Sequence, residues 1–337
     1  MRYLKRLPFF LCAVCAGVLF AAQPLEPVLE GSGPYEVAAL NAAAFIGNNH
    51  VYKHKPARNT RIPELTDKAV FKNPLTVFYP AAAGVYPLVI IGHGWGDSKR
   101  PNAGLARYLA SHGYVTVIFS AKARRYPEDF PAAFAAAYRL LKDAGENPAG
   151  LLYQRLDMGR TAVIGHSMGG TAALHFVQQH TGIHTVIALN PYNGASRFIE
   201  MVGGKNTVLG ADLSQLNIPV LIFTGSNDKI AYPEKTFEFY RGCNPAIPAA
   251  FFSIKDGMHI SGMDKIGNTV TGRFDAEKHL RIRYLILCWL ELFLKNDSSR
   301  AALLYAVPEN AAAVAEWFFS HDKGLYPPYS FRNLPIP

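Results

Sequence analysis

The stretch Arg160-Thr161-Ala162-Val163-Ile164-Gly165-His166-Ser167-Met168-Gly169-Gly170-Thr171-Ala172-Ala173-Leu174 decides the fold. A short β-branched run reads as a strand, Gly-x-Ser-x-Gly as a sharp turn, and the small residues after it as the start of a helix. Chemistry accounts for the glycines. A serine displayed at the carboxyl end of a strand sits on a tight turn, and Gly165 and Gly169 lack the Cβ atoms that would strike the neighbouring strand and helix. A lone Gly-x-Ser-x-Gly match is a weak signal. Bracketed by strand and helix, it marks Ser167 as a nucleophile rather than a glycine-rich turn without catalysis.

Working outward, short apolar runs recur at Leu75–Tyr79, Leu88–Ile91, Tyr114–Phe119, Thr161–Gly165, Thr185–Leu189, Pro219–Thr224 and Ala250–Ile254. Helical patterns separate them at Ala103–Ser111, Pro131–Leu141, Met168–His180, Pro233–Tyr240 and Ala276–Lys295. Strands alternating with helices predict an α/β fold, a mostly parallel central sheet with helices on both faces. Continuous apolar strands such as Val89-Ile90-Ile91 suit positions buried from both sides. No repeat or linker interrupts 74–297, and 74–305 reads as one catalytic domain. Residues 23–73 read as an N-terminal extension packed on it, with a short helix expected at Val37–Ala44. Residues 306–337 read as a helix (Glu309–Phe319) and a Pro- and Tyr-rich tail.

Serine at its ordinary pKa is a poor nucleophile and needs a base and an orienting carboxylate. In a strand–elbow–helix architecture these follow the serine, carboxylate first. Asp228 closes the turn Gly225-Ser226-Asn227-Asp228 after the strand Pro219–Thr224, where strand-end loops converge. Asp256 competes, but it stands three residues before the best histidine, in a turn. That histidine is His259, in the loop after the strand Ala250–Ile254; His184 precedes the carboxylate, His279 falls on a helix and His321 in the tail. The oxyanion formed on attack calls for backbone donors. Met168, first in the helix, supplies one and Trp95, in the loop Gly92-His93-Gly94-Trp95-Gly96-Asp97, the other. The Trp95 side chain reads as a pocket wall and His93 as a structural hydrogen-bonding residue. No metal or organic cofactor is implied, since the histidines show no metal-ligand spacing.

The first 22 residues read as an export signal: Arg2, Lys5 and Arg6, an apolar run from Leu7 to Phe20, then Ala21 and Ala22 before Gln23. The run is short for a membrane anchor, so the expectation is a secreted or periplasmic protein without a stable membrane span after cleavage. Beyond the signal, Cys243 and Cys288 are compatible with one disulfide or with two free buried thiols. Half of the residues are hydrophobic and 18% charged, enough for a sizeable core. The formal charge of +9 is scattered rather than clustered and comes with no nucleic-acid motif, so it reads as a solvated basic surface. Oligomeric state is not legible.

Several segments together resemble one family. They are Ile91-Gly-His-Gly-Trp-Gly96, Leu109-Ala-Ser-His-Gly-Tyr-Val-Thr-Val117, Asp157-Met-Gly-Arg-Thr-Ala-Val-Ile-Gly-His-Ser-Met-Gly-Gly170 and Ile218-Pro-Val-Leu-Ile-Phe-Thr-Gly-Ser-Asn-Asp228. Across about residues 74–305 the chain resembles bacterial cutinases and poly(ethylene terephthalate) hydrolases of the α/β-hydrolase fold. More distantly it is similar to platelet-activating-factor acetylhydrolases, chlorophyllases and dienelactone hydrolases; the last use a cysteine nucleophile, which Ser167 argues against. The resemblance implies a triad of Ser167, Asp228 and His259, with Trp95 and Met168 as oxyanion donors. It also implies an aromatic substrate wall at Tyr192, where those enzymes usually carry tryptophan, and an apolar wall at Ile230.

Departures from the family pattern bear on substrate. The segment Ser196–Asp212 is longer than in cutinases and adjoins the expected cleft. Thr224 and Ser261 stand where some plastic-degrading relatives pair cysteines, and the carboxyl-terminal cysteine pair of cutinases is missing. The expected activity is hydrolysis of a carboxylic ester, small or polymeric, through an acyl-enzyme. Alternatives are a short-chain carboxylesterase, a lipase acting on acetylated phospholipid, and a non-catalytic binding relative.

Overall fold

A computed structural model of the chain describes residues 31–41, 65–123, 127–194, 200–201, 210–264, 275–299, 301–304, 317–318 and 324–335. The expected export signal, His321 and most of 196–212 lie outside the described residues.

Nine strands form one sheet: β1 (Val37–Leu40), β2 (Thr76–Pro80), β3 (Tyr86–Gly92), β4 (Val115–Ile118), β5 (Leu156–His166), β6 (Thr185–Leu189), β7 (Val220–Gly225), β8 (Ala249–Ile254) and β9 (Tyr329–Arg332). Their order across the sheet is β1-β2-β4-β3-β5-β6-β7-β8-β9. The block from β4 to β8 is parallel throughout, while β1, β2 and β9 join antiparallel at the flanks. Among the described residues it is covered by the helices α1 (Ala103–Ser111), α2 (Phe130–Glu146), α3 (Met168–Gln179), α4 (Pro233–Gly242) and α5 (Ala276–Lys295).

Two apolar layers result. Leu88 and Ile90 of β3 point into a core shared with α2, α3 and α4; Val89 and Ile91 point into a core shared with α1 and α5. A central parallel strand therefore has no face left for polar residues, which is why its sequence runs unbroken in apolar side chains. Trp289 of α5 is fully buried, and its indole N–H is satisfied by the Thr185 hydroxyl at 2.7 Å. Burial of an apolar side chain of ordinary size contributes about 1.5–3 kcal/mol.

The helix expected at Val37–Ala44 is replaced by β1, which pairs with β2 from Val37↔Pro80 to Leu40↔Val77. Val37 and Ala39 face one core, Ala38 and Leu40 the other. An alanine-rich stretch favours helix only weakly, and docking on the β2 edge buries both faces at once. Of the helix expected at Glu309–Phe319 only 317 and 318 are described, and there Phe318 bridges to Ile254. The sheet thus reaches past 74–305 at both ends, with β1 and β9 as its edges. Cys243 and Cys288 are both buried and outside any disulfide, the first in the layer with α4, the second in the layer with α5. Burial pushes the Cys243 thiol up to about 12.

Candidate active site

β5 ends at His166, α3 begins at Met168, and Ser167 between them adopts φ 55°, ψ −124°. That left-handed backbone is costly for a residue with a Cβ, and the surroundings enforce it. The Ser167 N–H donates to Leu189 O at 2.9 Å, and Ser167 O accepts from the amides of Gly170 and Tyr192 at 2.9 and 3.1 Å. A Cβ on Gly165 would overlap the Gly169 carbonyl, and one on Gly169 the His93 carbonyl. Both glycines are required by close approach.

Asp228 lies in the turn after β7 and His259 in the loop after β8, so adjacent parallel strands deliver the two groups to one edge of the sheet. The Ser167 hydroxyl lies 2.9 Å from His259 Nε2, and His259 Nδ1 lies 2.8 Å from Asp228 Oδ2. All three residues are buried. The carboxylate fixes the proton on Nδ1 and leaves Nε2 as the acceptor of the serine proton. Asp228 Oδ1 accepts the amides of Ile230 and Ala231 at 2.7 and 3.0 Å, and Oδ2 accepts the Asn190 carboxamide at 2.7 Å as well as the imidazole. Four donors therefore converge on a carboxylate buried away from water.

The loop after β3 runs beside the elbow because β3 and β5 stay in register to Gly92↔Gly165. A Cβ on Gly94 would come within 3.0 Å of Ser167 Cβ and 3.1 Å of His166 Nδ1. His93 holds this loop: its Nε2 accepts the Ala121 amide at 3.0 Å, so Nδ1 carries the proton and donates to Gly94 O at 2.8 Å. Phe119 and Phe130 contact its ring edge-on. His93 is a structural residue, as expected. Trp95 is half-buried against the core, its indole N–H buried without a hydrogen-bond partner, and the Met168 amide opens α3, where helical N–H groups lack intrahelical acceptors.

Sequence reasoning gave His166 no part in the site, although it stands in the motif. Its Nε2 lies 2.8 Å from the backbone oxygen of His259, so Nε2 carries the proton, and the two rings are 4.8 Å apart. Burial, reinforced by the neighbouring His259, lowers its pKa to about 3. His166 is a neutral strut under the base. Asn190 was also missed; the one signal was a polar residue ending an apolar strand beside β5 and β7, where parallel sheets build their sites.

Tyr192 is 1% exposed and belongs to the core packed with α3. Its ring is packed inside the protein beside α3. What it contributes here is backbone: its N–H to Ser167 O, and its carbonyl to the Thr171 hydroxyl at 2.6 Å. Ile230 is buried too, and its amide orients Asp228. Thr224 is buried beside β8, and Ser261 accepts the Met258 amide at 2.8 Å. Among the described residues no three His, Cys, Asp or Glu side chains are grouped to hold a metal ion. No described helix is long and apolar enough to cross a membrane.

Comparison with known proteins adds a lineage. The family described as PETase, PET hydrolase-like, matches residues 69–321. Cutinase 2 of Thermobifida cellulosilytica is 26% identical over 239 residues, which is 70% of this chain and 79% of that protein. Cutinase cut1 of Thermobifida fusca is also 26% identical over 239 residues, covering 70% of this chain and 65% of its own, just under two thirds of its length. A bis(hydroxyethyl) terephthalate hydrolase of Streptomyces coelicolor is 23% identical over 246 residues, 72% of this chain and 69% of its own.

Proposed function

Given that this chain belongs to the PET hydrolase-like family and is a carboxylic ester hydrolase, we propose that it works through an acyl-enzyme on Ser167. Ser167 Oγ attacks the ester carbonyl carbon while His259 Nε2 takes its proton. Asp228 holds the imidazole in the tautomer that can do this and stabilises the imidazolium that forms. The amides of Trp95 and Met168 donate to the oxyanion of the tetrahedral intermediate. His259 returns the proton to the departing alkoxide, which leaves as the alcohol. Water, deprotonated by His259, then attacks the acyl carbon; the carbon–Oγ bond breaks as His259 returns that proton to Ser167 Oγ, and the carboxylic acid leaves.

The observation that carries this reading is the continuous line of hydrogen bonds from the serine hydroxyl through the imidazole to a carboxylate, at 2.9 and 2.8 Å in a buried setting. A non-catalytic relative has no need to maintain it. Ser167→Ala should abolish hydrolysis of p-nitrophenyl butyrate with an unchanged circular-dichroism spectrum; retained activity would overturn the assignment.

On substrate, the relatives point to polyester-type esters such as cutin and terephthalate esters. The burial of Ser167 and the closed position of the Tyr192 ring favour a second reading, a short-chain carboxylesterase. Release of soluble product from polyester film, set against turnover of p-nitrophenyl acetate and butyrate, separates the two. Loss of film hydrolysis with soluble-ester turnover intact would select the second. The N-terminal signal pattern supports export to the periplasm or medium, with a catalytic unit that adds the edge strands β1 and β9 to the expected 74–305. The mature protein should then begin at Gln23, which N-terminal sequencing of the exported protein checks.

A further inference from the structure

We propose that Asn190 is a positioning residue of the hydrolytic centre, tying the Asp228 carboxylate to the same short segment that grips Ser167. The inference rests on the reading of Ser167, His259 and Asp228 as a triad. β6 ends at Leu189, and Asn190 turns into the left-handed region at φ 45° while its N–H still extends the β6·β7 ladder to Phe223 O at 2.8 Å. That turn aims the carboxamide across to the loop after β7, where Nδ2 donates to Asp228 Oδ2 at 2.7 Å, with Asn190 buried at 2% exposure.

The flanking residues hold the nucleophile. Leu189 O accepts the Ser167 N–H and the Tyr192 N–H donates to Ser167 O. The segment is fixed from outside as well: the Thr236 hydroxyl donates to Pro191 O at 3.3 Å and the Thr171 hydroxyl to Tyr192 O at 2.6 Å. Four successive residues therefore connect the elbow to the carboxylate without any link through His259. The Ile230 and Ala231 amides anchor Oδ1 alone. Oδ2 is the oxygen that faces the imidazole, and apart from the imidazole itself its donor is Asn190. Losing that donor leaves the carboxylate pinned at one oxygen and lets the other drift from His259 Nδ1, which matters most once His259 carries charge. The effect therefore belongs to turnover and not to substrate binding.

Two variants that both tolerate positive φ separate this role from a packing role. Asn190→Gly removes the donor without backbone strain. Its kcat on p-nitrophenyl butyrate should fall about ten- to a hundredfold, the range for a hydrogen bond to a charged group, with KM within about twofold. Asn190→Asp keeps the shape and replaces the donor by an acceptor facing Asp228. Two carboxylates that close share one proton instead of both ionising. While that proton is present it stands in for the missing N–H; when it is lost at higher pH, repulsion displaces Asp228. The kcat/KM profile of Asn190→Asp should therefore decline on the alkaline side, where wild type and Asn190→Gly stay flat.

Each rate is normalised to folded protein by circular dichroism, and the low-field Nδ1 proton of His259 is followed by NMR, which needs no turnover. In both variants that resonance should move. Wild-type-like profiles, kcat within twofold and an unmoved resonance in either variant that folds would overturn the role of Asn190. Wild-type activity that survives Ser167→Ala would instead overturn the triad reading, while the resonance still reports on the Asn190–Asp228 contact.

Discussion

Two histidine–aspartate pairs can be compared within this molecule, the buried His259–Asp228 at 2.8 Å and His279–Asp264, with a half-buried carboxylate, at 3.5 Å. Asp264 is only five residues past His259, and its partner lies in the first turns of α5. Asp264 Oδ2 accepts the Gly104 amide at the start of α1, and its own N–H donates to Pro101 O at 2.7 Å. Burial outweighs these donors and the nearby Arg283 charge, and pushes the Asp264 carboxyl up to about 7. Burial, with Arg283 adding to it, lowers His279 to about 4. The second pair thus meets neutral pH as a neutral imidazole beside a partly protonated acid. In the first pair, donors from three places, the Asn190 side chain, the turn amides and the imidazole, converge on one carboxylate. A large pKa shift marks burial; convergence of donors from separate strand ends marks the site.

The largest effect expected from breaking this comparison is on turnover. Asp228→Asn should lower kcat by about 10⁴-fold, as loss of the orienting carboxylate does in serine hydrolysis, whereas Asp264→Asn should leave it within about threefold. Steady-state rates on p-nitrophenyl butyrate decide it; comparable losses would erase the distinction between the pairs.

The next effect is on stability against pH. Asp264 is protonated in the folded chain where the unfolded chain has already ionised, so its contribution falls as pH rises from about 4 to about 7. His279 is neutral in the folded chain where the unfolded chain is protonated, so its contribution rises from about 4 to its ordinary value near 6.5. The two slopes oppose. His279→Gln should expose a stability that declines through this window, Asp264→Asn one that climbs, each by up to about 1.4 kcal/mol per pH unit. Thermal melts from pH 4 to 8 give the signs, and slopes of the same sign in both variants would refute the assignment. Smaller still, His166→Phe removes the support of the His259 carbonyl and should cost about tenfold in kcat, near the worth of one buried hydrogen bond. Because His166 is neutral above about pH 3, the acid limb of the rate profile should stay in place.

The interior of the fold was legible because burial on both faces leaves a continuous apolar record in β3, β5, β6, β7 and β8. The edges were not. β1 is alanine-rich, and β9 is mostly half-exposed and pairs with β8 across more than seventy residues, so neither carries a local pattern. The grouping of Ser167, Asp228 and His259 was readable from chain order and strand ends, since each follows a strand of the parallel block. Asn190 and His166 were not, because their roles are contacts between loops that no spacing encodes. Tyr192 touches the elbow through its backbone, and the packing of its ring depends on contacts that a single strand-end residue does not announce.

The two thiols outside any disulfide have a consequence for how the protein can be made. Cys243 and Cys288 sit in opposite layers, with the sheet between them, so no oxidant is needed to complete the described fold. A reducing cytosol and an oxidising periplasm should yield the same enzyme, and addition of dithiothreitol should leave its melting temperature unchanged. Production without a disulfide-forming host is then a matter of solubility alone.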